Sequence, residues 1–176
     1  MSRCLKTVAL FVVIITTLVV VSFRANAQTE PTTPTENQLN TIIYRCPNMK
    51  TTIKQMQTQD AITRVELGKN YENMLSKLMT PMNSRLANNQ LSAGNLLTIT
   101  ADFNSNLGSF RQHYIEYDQS ISDLLSIDCA KKPADFYNKL QTARAKRANV
   151  QADCLKLSQA IKSYREELKL VTLEIH

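Results

Sequence analysis

The sequence predicts an all-α protein, an elongated antiparallel three-helix bundle or coiled coil that runs up-down-up. Three ladders of apolar residues, spaced alternately three and four positions apart, support this fold, because such spacing keeps one helix face against its partners. The chain has only three glycines, and it lacks the alternating apolar and polar residues typical of strands. These features specify an architecture of long packed helices and do not specify a reaction.

Residues 1–27 are predicted to be a targeting segment outside the fold. Arg3 and Lys6 form a basic start, residues 7–23 are apolar, and an Ala-Asn-Ala triplet at 25–27 fits signal peptidase. The apolar run is long for a signal peptide, so retention as an N-terminal membrane anchor stays open. In either case the body of the protein is expected to be extracytoplasmic. If the segment is not cleaved, the chain would contact the membrane only through residues 7–23.

The charge of the chain bears on its partners. Cleavage would remove three basic residues and lower the formal net charge from +6 to +3. A mildly basic surface argues against nucleic acid as a partner. A cluster of basic residues early in the third ladder is interpreted as a solvated helix face, with weak attraction to anionic lipid or cell-wall polymer as the alternative; it comprises Lys139, Arg144, Lys146 and Arg147.

The first helix follows a short linker. Residues 28–36 are polar and contain two prolines, so they are predicted to be a disordered linker. The first ladder then predicts a helix over about 37–87. It crosses Pro47 without losing phase, which favours one helix kinked there over a break. Its members are Leu39, Ile42, Cys46, Met49, Ile53, Met56, Asp60, Thr63, Leu67, Tyr71, Met74, Leu78 and Met82.

Two further helices complete a single domain over residues 37–172. The second ladder predicts a helix over about 93–127, with Ser92 as its N-cap. The third predicts a helix over about 133–171, which Pro133 begins. The connections are short, so neighbouring helices must be antiparallel. The ladders read Leu96, Ile99, Phe103, Leu107, Phe110, Tyr114, Tyr117, Ile121, Leu124, and Phe136, Leu140, Ala143, Arg147, Val150, Cys154, Leu157, Ile161, Tyr164, Leu168, Val171.

Three cysteines lie beyond the targeting segment, which suggests one disulfide and one leftover thiol. Cys46, near the start of the first helix, and Cys129, just past the end of the second, share one end of an antiparallel pair. They are therefore predicted to form a disulfide. Cys154 lies too far along the third helix to reach either of them. It is predicted to be a core thiol that packs as a small hydrophobe, with a reactive or intermolecular thiol as the alternative.

Ionisable residues interrupt the first and third ladders. Height along the bundle is counted from the end that carries the two cysteines predicted to form the disulfide. Asp60 and Arg147 then lie at the same height, and the second helix has Tyr114 beside this level. These three side chains are predicted to form a buried polar layer that sets helix register. A functional site at this level is the less favoured interpretation, because a closed bundle leaves little room for a cleft.

No catalytic, cofactor-binding or metal site is predicted, and the protein is expected not to be an enzyme. His113 and Glu116 have the i, i+3 spacing of half a metal site, but the residues for the other half are missing, so an exposed polar face is favoured. The sequence contains no Gly-rich phosphate loop, Cys-x-x-Cys pair or nucleophile elbow. The methionines of the first ladder are assigned to core packing over an adaptable binding surface.

A resemblance rests on two short motifs: Arg45-Cys46 opening a long amphipathic helix, then Asp128-Cys129 followed by Pro133 and Phe136. Over most of residues 37–172 the chain resembles small secreted three-helix coiled-coil proteins of candidate-phylum bacteria. Cys154 and the tyrosines are not part of that pattern. The resemblance implies the fold and carries no activity or site.

Three hypotheses for function remain. The favoured one is a non-enzymatic structural or interaction module, a rigid rod that presents polar helix faces to a protein partner at the cell envelope. The alternative is a periplasmic-type helical chaperone or holdase that acts as a dimer and exposes apolar surface; Ile62, Val65 and Met79 lie off the seam and are the candidates. A third hypothesis is a subunit of a larger envelope machine. The sequence specifies neither the partner nor the oligomeric state.

Overall fold

The computed structural model describes residues 33–91 and 93–174. Across these two ranges the chain forms helices, turns and irregular segments without a strand, which confirms the prediction of an all-α protein. The chain divides into two units, Met1–Thr33 and Pro34–His176, and all the described helices belong to the second. The predicted targeting segment, most of the predicted linker, and Ser92 lie outside the described residues. The second long helix begins at Leu96 with Asn95 at its N-cap position, so the prediction of Ser92 as its N-cap is wrong.

Helical segments account for most of the second unit. They are α1 (Glu36–Asn73), a π-helical segment (Met74–Met79), α2 (Thr80–Asn88), α3 (Leu96–Ser126) and α4 (Pro133–Glu174). The first three follow one another without a gap, so they form the first of three long helical stretches. Pro47 lies inside α1 without ending it.

The start of α1 is capped from within the stretch predicted as linker. The side-chain oxygen of Thr35 accepts a hydrogen bond from the backbone N–H of Gln38 at 3.4 Å, and the Gln38 side chain accepts one from the backbone N–H of Thr35 at 2.9 Å. This capping box satisfies two backbone donors that a helix start otherwise leaves open. The helix therefore begins at Glu36, inside the predicted linker.

The π-helical segment changes which residues of the first stretch are buried. Pro81 carries no amide hydrogen for the regular ladder, and just before it the N–H of Thr80 bonds the carbonyl of Leu75, five residues earlier. This wider turn accommodates one extra residue, so the buried face moves from Leu78, which is exposed, to Met79, which is 1% exposed. The expectation that Met79 lies on an exposed apolar surface is therefore wrong.

A carboxylate from α4 lies at the start of α3. Among the described residues of the connection between α2 and α3, Gln90 and Gly94 have positive φ, at 57° and 45°. A Cβ at Gly94 would lie 2.9 Å from Oε1 of Glu167, so glycine suits this close approach. The same oxygen accepts a hydrogen bond from the N–H of Asn95 at 3.2 Å. Negative charge is favourable at the N-terminal end of a helix.

The buried side chains form two apolar clusters, and the faces of α3 and α4 that carry the ladders supply most of both. The disulfide cluster comprises Ile42, Cys46, Ile53, Tyr114, Tyr117, Ile121, Leu124, Cys129, Phe136 and Ala143. The far cluster comprises Tyr71, Met79, Leu86, Leu96, Phe103, Leu107, Phe110, Cys154, Leu157, Tyr164 and Val171.

A buried hydrogen-bond network joins the three helical stretches within the far cluster. The hydroxyl of Tyr164 donates to Oδ1 of Asn83 at 2.8 Å, and Nδ2 of Asn83 donates to the hydroxyl of Thr100 at 2.8 Å. Burial raises the pKa of Tyr164. Asn83 lies off the predicted ladder and becomes buried because the π-helical segment shifts the interior face by one residue.

The structure joins Cys46 of α1 and Cys129, which follows α3, in a disulfide whose Cα atoms lie 5.6 Å apart. These are the two cysteines that the helix order selects from the sequence. Cys154 is buried in the far cluster. A disulfide is compatible with an oxidising, extracytoplasmic location.

We expect that replacing Cys46→Ser together with Cys129→Ser lowers the free energy of unfolding by about 2–4.5 kcal/mol, because the bridge constrains a long loop of the unfolded chain. The two residues are 83 positions apart. Urea denaturation followed by circular dichroism measures the loss. A reductant should destabilise the wild type and a Cys154→Ala control alike, and should leave the double variant unchanged. Equal stability of wild type and double variant would contradict the prediction.

Candidate functional site

Asp60 of α1 and Arg147 of α4 form a bidentate ion pair between the two clusters. Nη2 of Arg147 lies 3.0 Å from Oδ1 of Asp60, and Nε lies 3.1 Å from Oδ2. The hydroxyl of Tyr117 in α3 donates to Oδ2 of Asp60 at 2.7 Å. The hydrogen bonds to Asp60 raise the pKa of Arg147. Burial, reinforced by the hydrogen bond to Asp60, raises the pKa of Tyr117.

The tyrosine in this layer differs from the one that the sequence predicts. Helical side chains lean toward the N-terminus of their helix, so the hydroxyl of Tyr117 reaches back about one turn, to the level of Asp60. The prediction that Tyr114 belongs to this layer uses the height of its Cα alone. Its ring lies 4.9 Å from the guanidinium carbon of Arg64, and its buried hydroxyl has no hydrogen-bond partner in the part of the chain that the structure describes. Burial raises the pKa of Tyr114.

The layer is also less buried than the sequence predicts. The side chain of Asp60 is 22% exposed and that of Arg147 is 41% exposed. An ion pair this accessible to water contributes about 1 kcal/mol or less to stability. Its main effect is to hold two side chains from different helices in one orientation.

Arg147 lines a groove between α1 and α4, with a cavity volume of about 490 Å³. Tyr117 and Ile121 of α3, both buried, lie at its floor. Ile53, Leu140 and two methionines add further apolar lining. The sequence assigned those methionines to a closed seam, whereas in the structure the lining includes a half-buried Met49 and an exposed Met56. The expectation that a closed bundle leaves little room for a cleft is therefore wrong on this face.

The same groove is cationic. Over the residues that the structure describes, its lining contains three arginines, Arg45, Arg144 and Arg147, and no carboxylate. Arg147 is occupied by Asp60. Arg45 and Arg144 are exposed and form no ion pair with any residue in the ranges 33–91 and 93–174. The apolar floor is thus accompanied by two arginines, one on each helix, that have no ion-pair partner in the described part of the chain.

A second polar constellation lies between α3 and α4, and the sequence did not indicate it. Nδ1 of His113 lies 2.6 Å from Oδ2 of Asp153, whose side chain is only 1% exposed. The other carboxylate oxygen of Asp153 has no hydrogen-bond partner among the described residues. The only signal was position: Asp153 precedes a buried ladder residue, Cys154, on the flank that turns toward α3.

Glu116, which the sequence considered with His113 as half of a metal site, pairs with a lysine instead. Nζ of Lys146 donates to its Oε2 at 2.6 Å, and this hydrogen bond lowers the pKa of Glu116. Over the described residues, no group of three or more His, Cys, Asp and Glu side chains is arranged to hold a metal ion.

Comparisons with known proteins add no family. No protein-family model, curated protein or solved structure matches the chain. No helix within the described ranges is both long and apolar enough to cross a membrane. The fold and the groove define the chain as an all-α helical bundle with a cationic groove that has an apolar floor.

A matched pair of substitutions separates the two tyrosines. Tyr117→Phe removes a hydrogen bond to a carboxylate and should lower the free energy of unfolding by about 1–2 kcal/mol. Tyr114→Phe removes a hydroxyl without a partner among the described residues and should change it by less than about 0.5 kcal/mol. Chemical denaturation of both variants measures the difference. Equal effects would show that Asp60 does not distinguish the two hydroxyls.

The difference in stability between the wild type and Tyr117→Phe should also depend on pH. Folding raises the pKa of Tyr117 above its ordinary value of 10.0, so the folded state favours the protonated phenol. This contribution is complete below about pH 10 and is lost as the pH rises above that value. Between about pH 10 and pH 11.5 the wild type should therefore lose more stability than Tyr117→Phe, as measured by urea denaturation at each pH.

The pair of His113 and Asp153 makes a separate stability prediction. His113→Leu leaves the buried carboxylate of Asp153 without its polar partner and should lower the free energy of unfolding by about 3 kcal/mol. His113→Gln keeps a hydrogen-bond donor and should cost less. Combining His113→Leu with Asp153→Leu should recover much of the loss. A change below about 0.5 kcal/mol in His113→Leu would contradict the pairing.

Proposed function

We propose that the chain is a non-enzymatic interaction module that acts outside the cytoplasm and binds a protein partner through the groove between α1 and α4. The observation that carries this proposal is the composition of the groove: an apolar floor between Arg45 and Arg144, neither of which is paired with a carboxylate within the described residues. Such a surface contributes little to the stability of the folded chain itself. It suits recognition, in which apolar anchors supply affinity and charges supply orientation.

We further propose the up-down-up order of the three helical stretches. The Cys46–Cys129 disulfide ties the start of the first stretch to the end of the second. The hydrogen bond from the backbone of Asn95 to Glu167 brings the start of the second stretch to the late part of the third. Both contacts are those that antiparallel neighbours would make.

The extracytoplasmic address is supported by two independent features. The N-terminal 27 residues have the composition of a secretory signal or an anchor. The disulfide requires oxidising surroundings to persist. Residues 28–34 would then connect the helical module to a membrane anchor, or form its mature N-terminus after cleavage.

The second candidate function is a dimeric holdase, which one observation favours. Ile62 and Val65 of α1 are 51% and 61% exposed. Exposed apolar side chains of this size are a feature of surfaces that bind unfolded clients or a second subunit. They lie on a different face of α1 from the groove, so the two candidate functions use separable residues.

Light scattering combined with a client-aggregation assay distinguishes these functions. The interaction module should be monomeric and should not delay the thermal aggregation of an unrelated client protein. A holdase should be dimeric, should delay aggregation, and should lose both properties in an Ile62→Ser, Val65→Ser variant. That second set of results would overturn the proposed function.

Position-specific photocrosslinking in the native cells tests for the partner. A photoreactive amino acid at Thr52, which lines the groove, should yield one discrete protein adduct. The matched position is Thr58, which is exposed on the same helix and does not line the groove. Equal adducts from both positions, or none from Thr52, would argue against a partner at this groove.

A further inference from the structure

We propose that the groove between α1 and α4 accepts an acidic amphipathic helix, whose apolar stripe is flanked on both sides by Asp or Glu side chains. This inference rests on the proposed function and names the chemistry of the partner segment. It follows from the floor, the rim and the ends of the groove, each of which constrains a different property of the ligand.

The apolar lining of the groove selects a partner helix with an apolar stripe. Met49 and Met56, both on α1 and both lining the groove, are separated by two helical turns, or about 10 Å. A helix that lies along the groove presents apolar anchors at i, i+3 or i+4, and i+7 over the same distance. Methionine side chains are flexible and polarisable, so they adapt to aliphatic or aromatic anchors.

The two arginines at the rim of the groove, Arg45 and Arg144, select carboxylates on both sides of that stripe. Arg45 lies on α1 and Arg144 on α4, so two arginines without an ion-pair partner among the described residues line the groove from opposite walls. The guanidinium group of Arg147 is already satisfied by Asp60. An acidic residue on each flank of the partner helix would form a charge-assisted pair with Arg45 and Arg144.

The ends of the groove are held in place before any ligand arrives. Arg45 is adjacent to Cys46, which the disulfide fixes. At the other end, Asp60 links Arg147 of α4 to Tyr117 of α3. A preorganised groove loses little conformational entropy on binding.

The same features favour a peptide over a membrane surface. Recognition of anionic lipid by basic residues commonly uses clusters of about four to eight Lys or Arg side chains. Two arginines on different helices do not form such a cluster. A flat bilayer surface would also not reach the buried side chains of Tyr117 and Ile121 at the floor.

Fluorescence anisotropy with a designed probe tests the proposal. The probe is a labelled synthetic helix of about four turns, with leucines along one stripe and glutamates on both flanks. Its matched control replaces every glutamate with lysine. The acidic probe should bind the full chain, and the basic probe should bind at least about tenfold more weakly, a difference of about 1.4 kcal/mol.

Matched variants locate the site. Arg45→Glu with Arg144→Glu should weaken binding of the acidic probe at least about tenfold and should restore binding of the basic probe. Arg85→Glu with Lys156→Glu changes the net charge equally at exposed positions outside the groove and should leave both affinities within about twofold. Met56→Ser, at an exposed position of the apolar lining, should weaken binding of the acidic probe without strengthening binding of the basic probe. Circular dichroism verifies that each variant is folded.

Several results would overturn the proposal. These are no binding of the acidic probe, equal binding by the groove and control variants, preference for phosphatidylserine vesicles over the probe, or a wild-type dimer that the groove substitutions dissociate. If the acidic probe fails while Thr52 still gives its discrete adduct, the interaction module stands and the acidic-helix inference falls. If Thr52 gives no adduct while the probe binds as described, the groove chemistry stands and a native partner at this site is refuted.

Discussion

The disulfide between Cys46 and Cys129 sets the relative height of the first helical stretch and the other two. Helices advance by about 1.5 Å per residue, so tying one level ties the levels above it. Asp60 therefore meets Arg147 and the hydroxyl of Tyr117, although the three residues are far apart along the chain. A shift of one helical turn would separate the carboxylate from both partners.

The groove lies over the disulfide cluster, beside the ion pair that separates the two clusters. Between the clusters, α1 and α4 carry Asp60 and Arg147 in place of apolar residues, and charged groups retain contact with water where they can. Nearby, the small side chain of Ala143 lines the groove on α4. Beside this ion pair the two helices do not close fully over α3, so Met49 and Met56 of the apolar lining stay partly accessible. The ion pair that orients α1 and α4 thus borders the candidate binding surface through Arg147.

Much of this organisation was readable in the sequence, and the errors have identifiable causes. The ladders predicted helices and an all-α fold, and residue counting placed Asp60 opposite Arg147. The same counting selected Tyr114 because it used Cα heights and ignored the lean of helical side chains toward the N-terminus. The ladder pattern also placed Met79 on an exposed surface, because a strict three-four ladder does not anticipate the extra residue of a π-helical segment.

The sequence by itself determined that long helices form, since helical periodicity depends on residues within a few positions of one another. It also determined which cysteines share an end of the bundle, once the helix order was inferred. Only the tertiary structure decided that the groove is open, that Asp153 faces His113, and that Tyr164 reaches Asn83. These features depend on how closely side chains from different helices approach and on which of them exclude water, and no local pattern encodes either quantity.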